Sequence, residues 1–234
     1  MSNGTMIVKR DGTKEHLNID KMHFVVAEAC SGLAGVSSSQ IEMNANLQFY
    51  DGMSTDEIQE ILVRSANDLI SLDAPNYQYA AARLLSYGLY KQVFGQYENA
   101  SLIKMIGQNI DRGLYDPEIL TKYSTDELDV LDSYIRHKRD ENFTYAGLRQ
   151  VVDKYLVQDR STGEIFETPQ IMYMMIAATL FANYPGETRM HYVRRYYDAT
   201  SLFKVNIPTP VMAGVRTPVR QFASCVLVDA DDTL

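Results

Sequence analysis

Met6-Ile7-Val8-Lys9-Arg10-Asp11-Gly12-Thr13, returning through His16-Leu17-Asn18-Ile19, reads as a strand, a turn and a second strand. Asp11-Gly12 is a strong hairpin dipeptide, because glycine takes positive φ at no steric cost. The pattern then changes period. Asp20 is placed to cap a helix whose apolar stripe is Met22, Val25, Val26, Ala29 and Leu33, ended by Gly32 and Gly35. A second helix carries Ile41 and Leu47 and breaks at Asp51-Gly52. Ser54-Thr55-Asp56-Glu57 spells a capping box for a third, with Ile58, Ile61, Leu62 and Leu69 on one face. Pro75 stops it and opens a fourth, with Tyr77, Ala81, Leu84, Leu85 and Leu89 facing inward. A hairpin and four helices ending near Gly95 make a unit of domain size, and the fold class is α+β, mostly helical.

Beyond that unit, residues 99–155 read as helical, with breaks at Gly113, Pro117 and Ser124-Thr125. Leu156 to Phe166 reads as a second hairpin turning at Thr162-Gly163, and helices are predicted over 169–183 and 187–202. Lys204 to Pro210 is strand-like and proline-bounded, and Arg220 to Val228 reads as a buried strand with open edges.

The bulk properties exclude several classes. The chain has 234 residues and a net charge of −8, which disfavours non-specific nucleic-acid binding. An apolar fraction of 46%, with only 13 glycines and 7 prolines, excludes disorder. The longest mainly apolar run, Ile171 to Ala182, is too short to cross a bilayer, so no membrane partner is expected. The start, Met1-Ser2-Asn3-Gly4-Thr5, has no basic flank with an apolar stretch behind it, so no secretory signal is expected. Cys30 and Cys225 form neither a disulfide framework nor a metal knot, which favours a reducing, cytoplasmic setting.

The residues that could carry chemistry are few. Lys9 and Arg10 precede the hairpin turn, Lys91 lies on the fourth helix and Thr55 stands at a helix start. Such a group suits a polyphosphate, since lysines neutralise charge and a helix start offers backbone N–H groups. On pattern alone a plain solvated surface is favoured. Cys30 and Cys225 read as small buried hydrophobes, and Tyr192, Tyr196 and Tyr197 as packing residues. The four histidines, at 16, 23, 137 and 191, are scattered, and no Walker loop or dinucleotide glycine fingerprint occurs.

Several stretches nevertheless resemble a known family. Val8-Lys9-Arg10-Asp11-Gly12, Asn18-Ile19-Asp20-Lys21, Tyr50-Asp51-Gly52-Met53-Ser54-Thr55 and Asp73-Ala74-Pro75-Asn76-Tyr77-Gln78-Tyr79 resemble the ATP-cone of class I ribonucleotide reductase large subunits. Glu167-Thr168-Pro169-Gln170 and Arg195-Tyr196-Tyr197-Asp198-Ala199 extend the likeness. So do Ile207-Pro208-Thr209-Pro210-Val211-Met212-Ala213-Gly214-Val215-Arg216-Thr217-Pro218 and Arg220-Gln221-Phe222-Ala223-Ser224-Cys225. The resemblance implies an ATP-cone over 1–95 and a helical region over 96–204. Over 205–234 it implies the first strands of a ten-stranded α/β barrel.

The resemblance also implies roles. Lys9, the segment Glu15, His16, Leu17, Asn18, Ile19, Asp20 and Lys21, then Thr55 and Lys91, match positions that hold ATP or dATP, with Mg2+, as allosteric effectors. Thr209 and Ser224 match substrate-site residues, and Cys225 one of two cysteines that oxidise as the ribose is reduced. Asp232 matches the start of the specificity-site segment, where a deoxynucleoside triphosphate selects the substrate. Gln59 stands where several relatives carry a nucleotide-touching histidine, which implies blunted discrimination between ATP and dATP. In Asp229-Ala230-Asp231 the last position usually holds glycine.

The implied partners are a radical-generating, metal-containing small subunit, thioredoxin or glutaredoxin, and a complementing chain carrying the remaining barrel with its radical cysteine and second redox cysteine. The alternative is a free-standing nucleotide-sensing module without catalysis. A third reading is a helical interaction subunit in which every motif is structural. The stretch from Thr209 to Cys225 separates the first from the second, since a regulator has no use for substrate-site residues.

Overall fold

A computed structural model of the chain describes residues 5–95, 99–219, 221–225 and 227. It divides into two units, the first formed by Met1–Asn99 with Lys138–Asp153, the second by Ala100–His137 with Lys154–Leu234. Among the described residues the architecture is helical with one three-stranded sheet.

In the first unit β1 (Met6–Val8) pairs antiparallel with β2 (Lys14–His16), Ile7 opposite Glu15. The turn between them is stabilised locally: Gly12 takes φ 82°, and the Asp11 carboxylate accepts from the Thr13 N–H at 2.9 Å and hydroxyl at 2.7 Å. The other edge of β1 holds a parallel strand, β3 (Met53–Ser54), too short to leave any alternation in the sequence. Met53 is fully buried, so this strand anchors the chain just before the third helix.

Helix α1 (Ile19–Cys30) buries Met22, Val25, Val26 and Ala29. Its cap is Asn18, whose side chain accepts from the Lys21 N–H at 2.8 Å. Asp20, expected as the cap, lies inside the first turn, where its charge still favours the helix start. Helix α2 (Ser38–Asn46) buries Ile41, but Leu47, expected on its inner face, falls just past the end and is exposed. Helix α3 (Thr55–Asn67) has the expected capping box between Ser54 and Glu57 and buries Ile58, Ile61 and Leu62. Helix α4 (Tyr77–Phe94) packs against α1 and α3 and ends at Gly95, with φ 69°. The later segment joins this unit through the Tyr90 hydroxyl, which donates to Asp140 Oδ2 at 2.7 Å, and through an ion pair between Arg149 and Glu60. A 3-10 helix (His137–Asn142) leads into α8 (Tyr145–Lys154).

The second unit begins with α5 (Leu102–Asp111), α6 (Glu118–Lys122) and α7 (Thr125–Tyr134), separated at Gly113, Pro117 and Ser124. The second hairpin survives as one bridge, Gln158 to Ile165, around Gly163 at φ 76°. Helix α9 (Pro169–Leu180) is buried continuously from Pro169 to Ala178 and is the core element that α10 (Gly186–Ser201) covers. This accounts for the apolar run from Ile171: it is apolar on every side because it is buried on every side. No helix among the described residues is long and apolar enough to cross a membrane.

Two strand expectations fail. Lys204 to Pro210 is irregular and mostly exposed up to Pro208, and α11 (Thr209–Gly214) starts at Thr209. Prolines at 208 and 210 fit a helix start, where the missing N–H costs nothing, better than a strand ladder. Residues 221–225 are irregular and exposed rather than a buried strand, while Arg220, Val226 and Val228 lie outside the described residues. A strand exists only through pairing, and no strand is found over 205–234 among the described residues, so the barrel start expected there is not seen.

Candidate functional site

The end of β1, the return along β2, the starts of α1 and α3 and the end of α4 surround a cavity of about 540 Å³ in the first unit. The strand pleat selects which side chains enter it. Glu15 and Leu17 line the cavity and His16 does not, as alternation along an extended segment requires. Asn18 and Lys21 enter from the α1 start, Thr55 from the first turn of α3 and Lys91 from the last turn of α4. Ile19 and Asp20 are not among the lining residues. The structure thus brings Lys9, Glu15, Leu17, Asn18, Lys21, Thr55 and Lys91 into one cavity wall.

The wall is polarised. Its apolar part comes from Ile7, Met22, Val25, Ile58 and Leu62, side chains whose periodicity reads only as core. Lysines 9, 21 and 91 and Arg10 supply the cationic part. Lys9 and Arg10 are each held by a carboxylate. Lys9 Nζ lies 2.7 Å from Glu15 Oε2, and that hydrogen bond raises the ammonium pKa above its ordinary value. Arg10 Nε donates to Asp56 Oδ1 at 2.8 Å, tying the hairpin turn to the start of α3. That start is itself well ordered by hydrogen bonds: Glu57 accepts from the Ser54 N–H at 2.7 Å and from the Tyr50 hydroxyl at 2.7 Å. The Ser54 backbone first, and Tyr50 next, hold the Glu57 carboxyl below the usual carboxylate range.

Gln59 lines the cavity one turn after Thr55. Its amide donates to the Leu84 carbonyl at 2.6 Å, and its side chain lies so close to Gly88 that a Cβ there would meet Gln59 Cγ at 2.9 Å. Sequence spacing alone does not foresee that contact.

The remaining candidates lie in the second unit. Thr209 opens α11, and its hydroxyl is 3.2 Å from the Tyr155 hydroxyl. Ser224 and Cys225 are neighbours in the exposed segment beyond it, Oγ to Sγ 3.7 Å. Cys225 is therefore an exposed thiol, not the buried hydrophobe its apolar neighbours suggest. Asp232 lies outside the described residues. Cys30 is half-buried on α1, and burial pushes its thiol up to about 11, which leaves it a poor nucleophile.

Comparison with known proteins finds two family models along the chain. Residues 5–92 match a family model described as the ATP cone domain, which spans every cavity-lining residue except Gly95. Residues 141–220 match ribonucleotide reductase, all-alpha domain. Over all 234 residues the chain is 49% identical to the ribonucleoside-diphosphate reductase 1 subunit alpha of Salmonella typhimurium and 48% identical to that of Escherichia coli. It is 44% identical over 230 residues to the ribonucleoside-diphosphate reductase subunit alpha of Enterobacteria phage T4. The chain spans 31%, 31% and 30% of the length of these three relatives. With both family models and identity along its whole length, the chain belongs to the ribonucleoside-diphosphate reductase alpha-subunit family and corresponds to the N-terminal part of those subunits.

Proposed function

We propose that the cavity of the first unit binds ATP and dATP as allosteric effectors, and that the chain serves as the N-terminal part of a reductase converting ribonucleoside diphosphates to deoxyribonucleoside diphosphates. The observation carrying this reading is the polarity of the cavity, cationic at one part of its wall and apolar at another. A nucleoside triphosphate has the same division. Its phosphates suit Lys9, Lys21, Lys91 and the backbone N–H groups at Thr55, and its ring suits the apolar side chains. Mg2+ enters on the triphosphate.

In this reading Lys9 exchanges its Glu15 partner for phosphate oxygen. Glu15 would repel a triphosphate while facing it, so its release is part of binding.

Catalysis is assigned to the second unit with a complementing chain. Replacing the 2′-hydroxyl by hydrogen releases water and consumes two electrons, which a pair of thiols supplies on forming a disulfide. Cys225 is one such thiol, and its exposure suits exchange with a second cysteine and with thioredoxin or glutaredoxin. Thr209 and Ser224 are assigned to the substrate, and Asp232 to a deoxynucleoside triphosphate at the specificity site. The radical comes from a metal-containing small subunit. A reducing, cytoplasmic setting fits the two free cysteines. The match to the all-alpha domain favours this reading over a free-standing sensor.

The test mixes the chain with a polypeptide carrying the remaining barrel, the small subunit, a dithiol reductant and a ribonucleoside diphosphate. Turnover is expected only from the full mixture and rises with ATP, while Cys225→Ser abolishes multiple turnovers. Turnover without the barrel polypeptide, or full activity of Cys225→Ser, would overturn the reading.

A further inference from the structure

The second unit buries a charge cluster that the chemistry above does not use. Glu167 and Arg216 are 0% and 1% exposed. The Glu167 carboxylate accepts from the Tyr115 hydroxyl at 2.5 Å, the Val157 N–H at 2.7 Å, Arg216 Nε at 2.9 Å and Arg216 Nη2. Arg216 spends its other donors on two backbone carbonyls. Nη1 reaches Met212, within α11, and Nη2 reaches Tyr155 at 2.8 Å. The guanidinium therefore fixes both α11 and the backbone of Tyr155. The Tyr155 side chain then reaches the opposite end of α11, its hydroxyl 3.2 Å from Thr209 Oγ1.

We propose that Tyr155 is a positioning residue for the substrate site: its hydroxyl orients that of Thr209, and the buried Glu167–Arg216 pair holds the two in register. The inference rests on the assignment of Thr209 to the substrate. A threonine hydroxyl has one proton to give and lone pairs to fill. With Tyr155 donating to Thr209 Oγ1, the threonine proton is directed elsewhere, to an acceptor oxygen of the ribonucleoside diphosphate. Without Tyr155 the hydroxyl rotates among its staggered positions, and binding requires one of them to be selected.

Tyr155→Phe keeps the ring and removes only the hydroxyl. In the assembled reductase it is expected to raise KM for the ribonucleoside diphosphate about 3- to 10-fold, the worth of one neutral hydrogen bond, with kcat within about 2-fold. The thermal midpoint and ATP binding by the first unit should not move. Because Tyr155 acts through Thr209, Thr209→Val combined with Tyr155→Phe should raise KM no further than Thr209→Val alone. An unshifted KM in Tyr155→Phe, or additive effects in the pair, would overturn this proposal while the wild-type assembly still turns over. No turnover by the wild-type assembly would overturn the functional reading and this proposal with it.

Discussion

Replacing Arg216 by methionine is the perturbation whose cost the structure defines most closely. The substitution keeps an apolar chain of similar length and removes the guanidinium. Among the described residues, Glu167 then remains fully buried with only the Tyr115 hydroxyl and the Val157 N–H donating to it, and the Met212 and Tyr155 carbonyls each lose a guanidinium donor. Breaking a buried pair from one side leaves an uncompensated charge and costs about 3–5 kcal/mol. Burial, with the Glu167 charge, pushes the Tyr115 phenol well above its ordinary value, so it stays a donor and cannot replace the lost cation. Glu167→Gln in the same chain removes the charge; its amide oxygen keeps an acceptor for the Val157 N–H, and its amide N–H donates to the Tyr115 hydroxyl, whose oxygen can accept. The double variant should therefore recover about 1.5 kcal/mol or more relative to Arg216→Met. Urea unfolding followed by circular dichroism measures both, and amide hydrogen exchange assigns the shifted transition to the second unit. A loss below about 1 kcal/mol in Arg216→Met, or a double variant no more stable than the single one, would refute the reasoning.

Three further outcomes follow from individual contacts. Glu15→Gln takes a negative charge from the cavity wall and leaves Lys9 only a weaker, neutral amide acceptor, so ATP should bind about 2- to 5-fold more tightly, an effect that shrinks with salt in calorimetric titrations. Burial lowers His137 to about 4, below its unfolded value of about 6.5, so the folded state prefers the neutral ring. That contribution is complete above pH 6.5 and is lost as pH falls toward 4, about 3 kcal/mol in all; His137→Gln should flatten the pH dependence of the urea midpoint across that window. Ser54→Ala breaks the capping box of α3 and should cost about 1 kcal/mol in the first unit, read from its unfolding midpoint.

Local signals in the sequence carried most of the first unit. Asp11-Gly12 and Ser54 to Glu57 form their turn and cap through atoms within a few residues of one another, so their residue types alone are informative. The apolar stripes of α1, α3 and α4 likewise appear where their periodicity puts them, except that Leu33 and Leu69 fall beyond the ends of α1 and α3. Non-local pairing was not legible. β3 is two residues long and is held only by β1, about 45 positions earlier. The apolar stretch around Cys225 reads as a strand by composition, but composition supplies no partner strand. At the cavity, Lys9 and Lys91 come together only through tertiary packing; the charge pattern marks them as candidates but favours a solvated surface, and only the family resemblance assigns them to a nucleotide. Resemblance also named the whole run from Glu15 to Lys21, whereas the pleat admits Glu15 and Leu17 and turns His16 away. The Glu167–Arg216 pair left no trace in the sequence, because its members are 49 residues apart and their burial is known only once the fold exists.

The claim that the first unit is a nucleotide sensor is tested most directly by titrating ATP into the whole chain by calorimetry, with wild type and Lys91→Ala side by side. Lys91 lines the cavity from the end of α4, and losing one charge-assisted contact to phosphate is worth about 1.5–3 kcal/mol, roughly 10- to 150-fold in affinity. The account predicts saturable ATP binding by the wild type and that loss in the variant, with an unchanged melting temperature. No binding at millimolar ATP, or binding indifferent to Lys91, would contradict it.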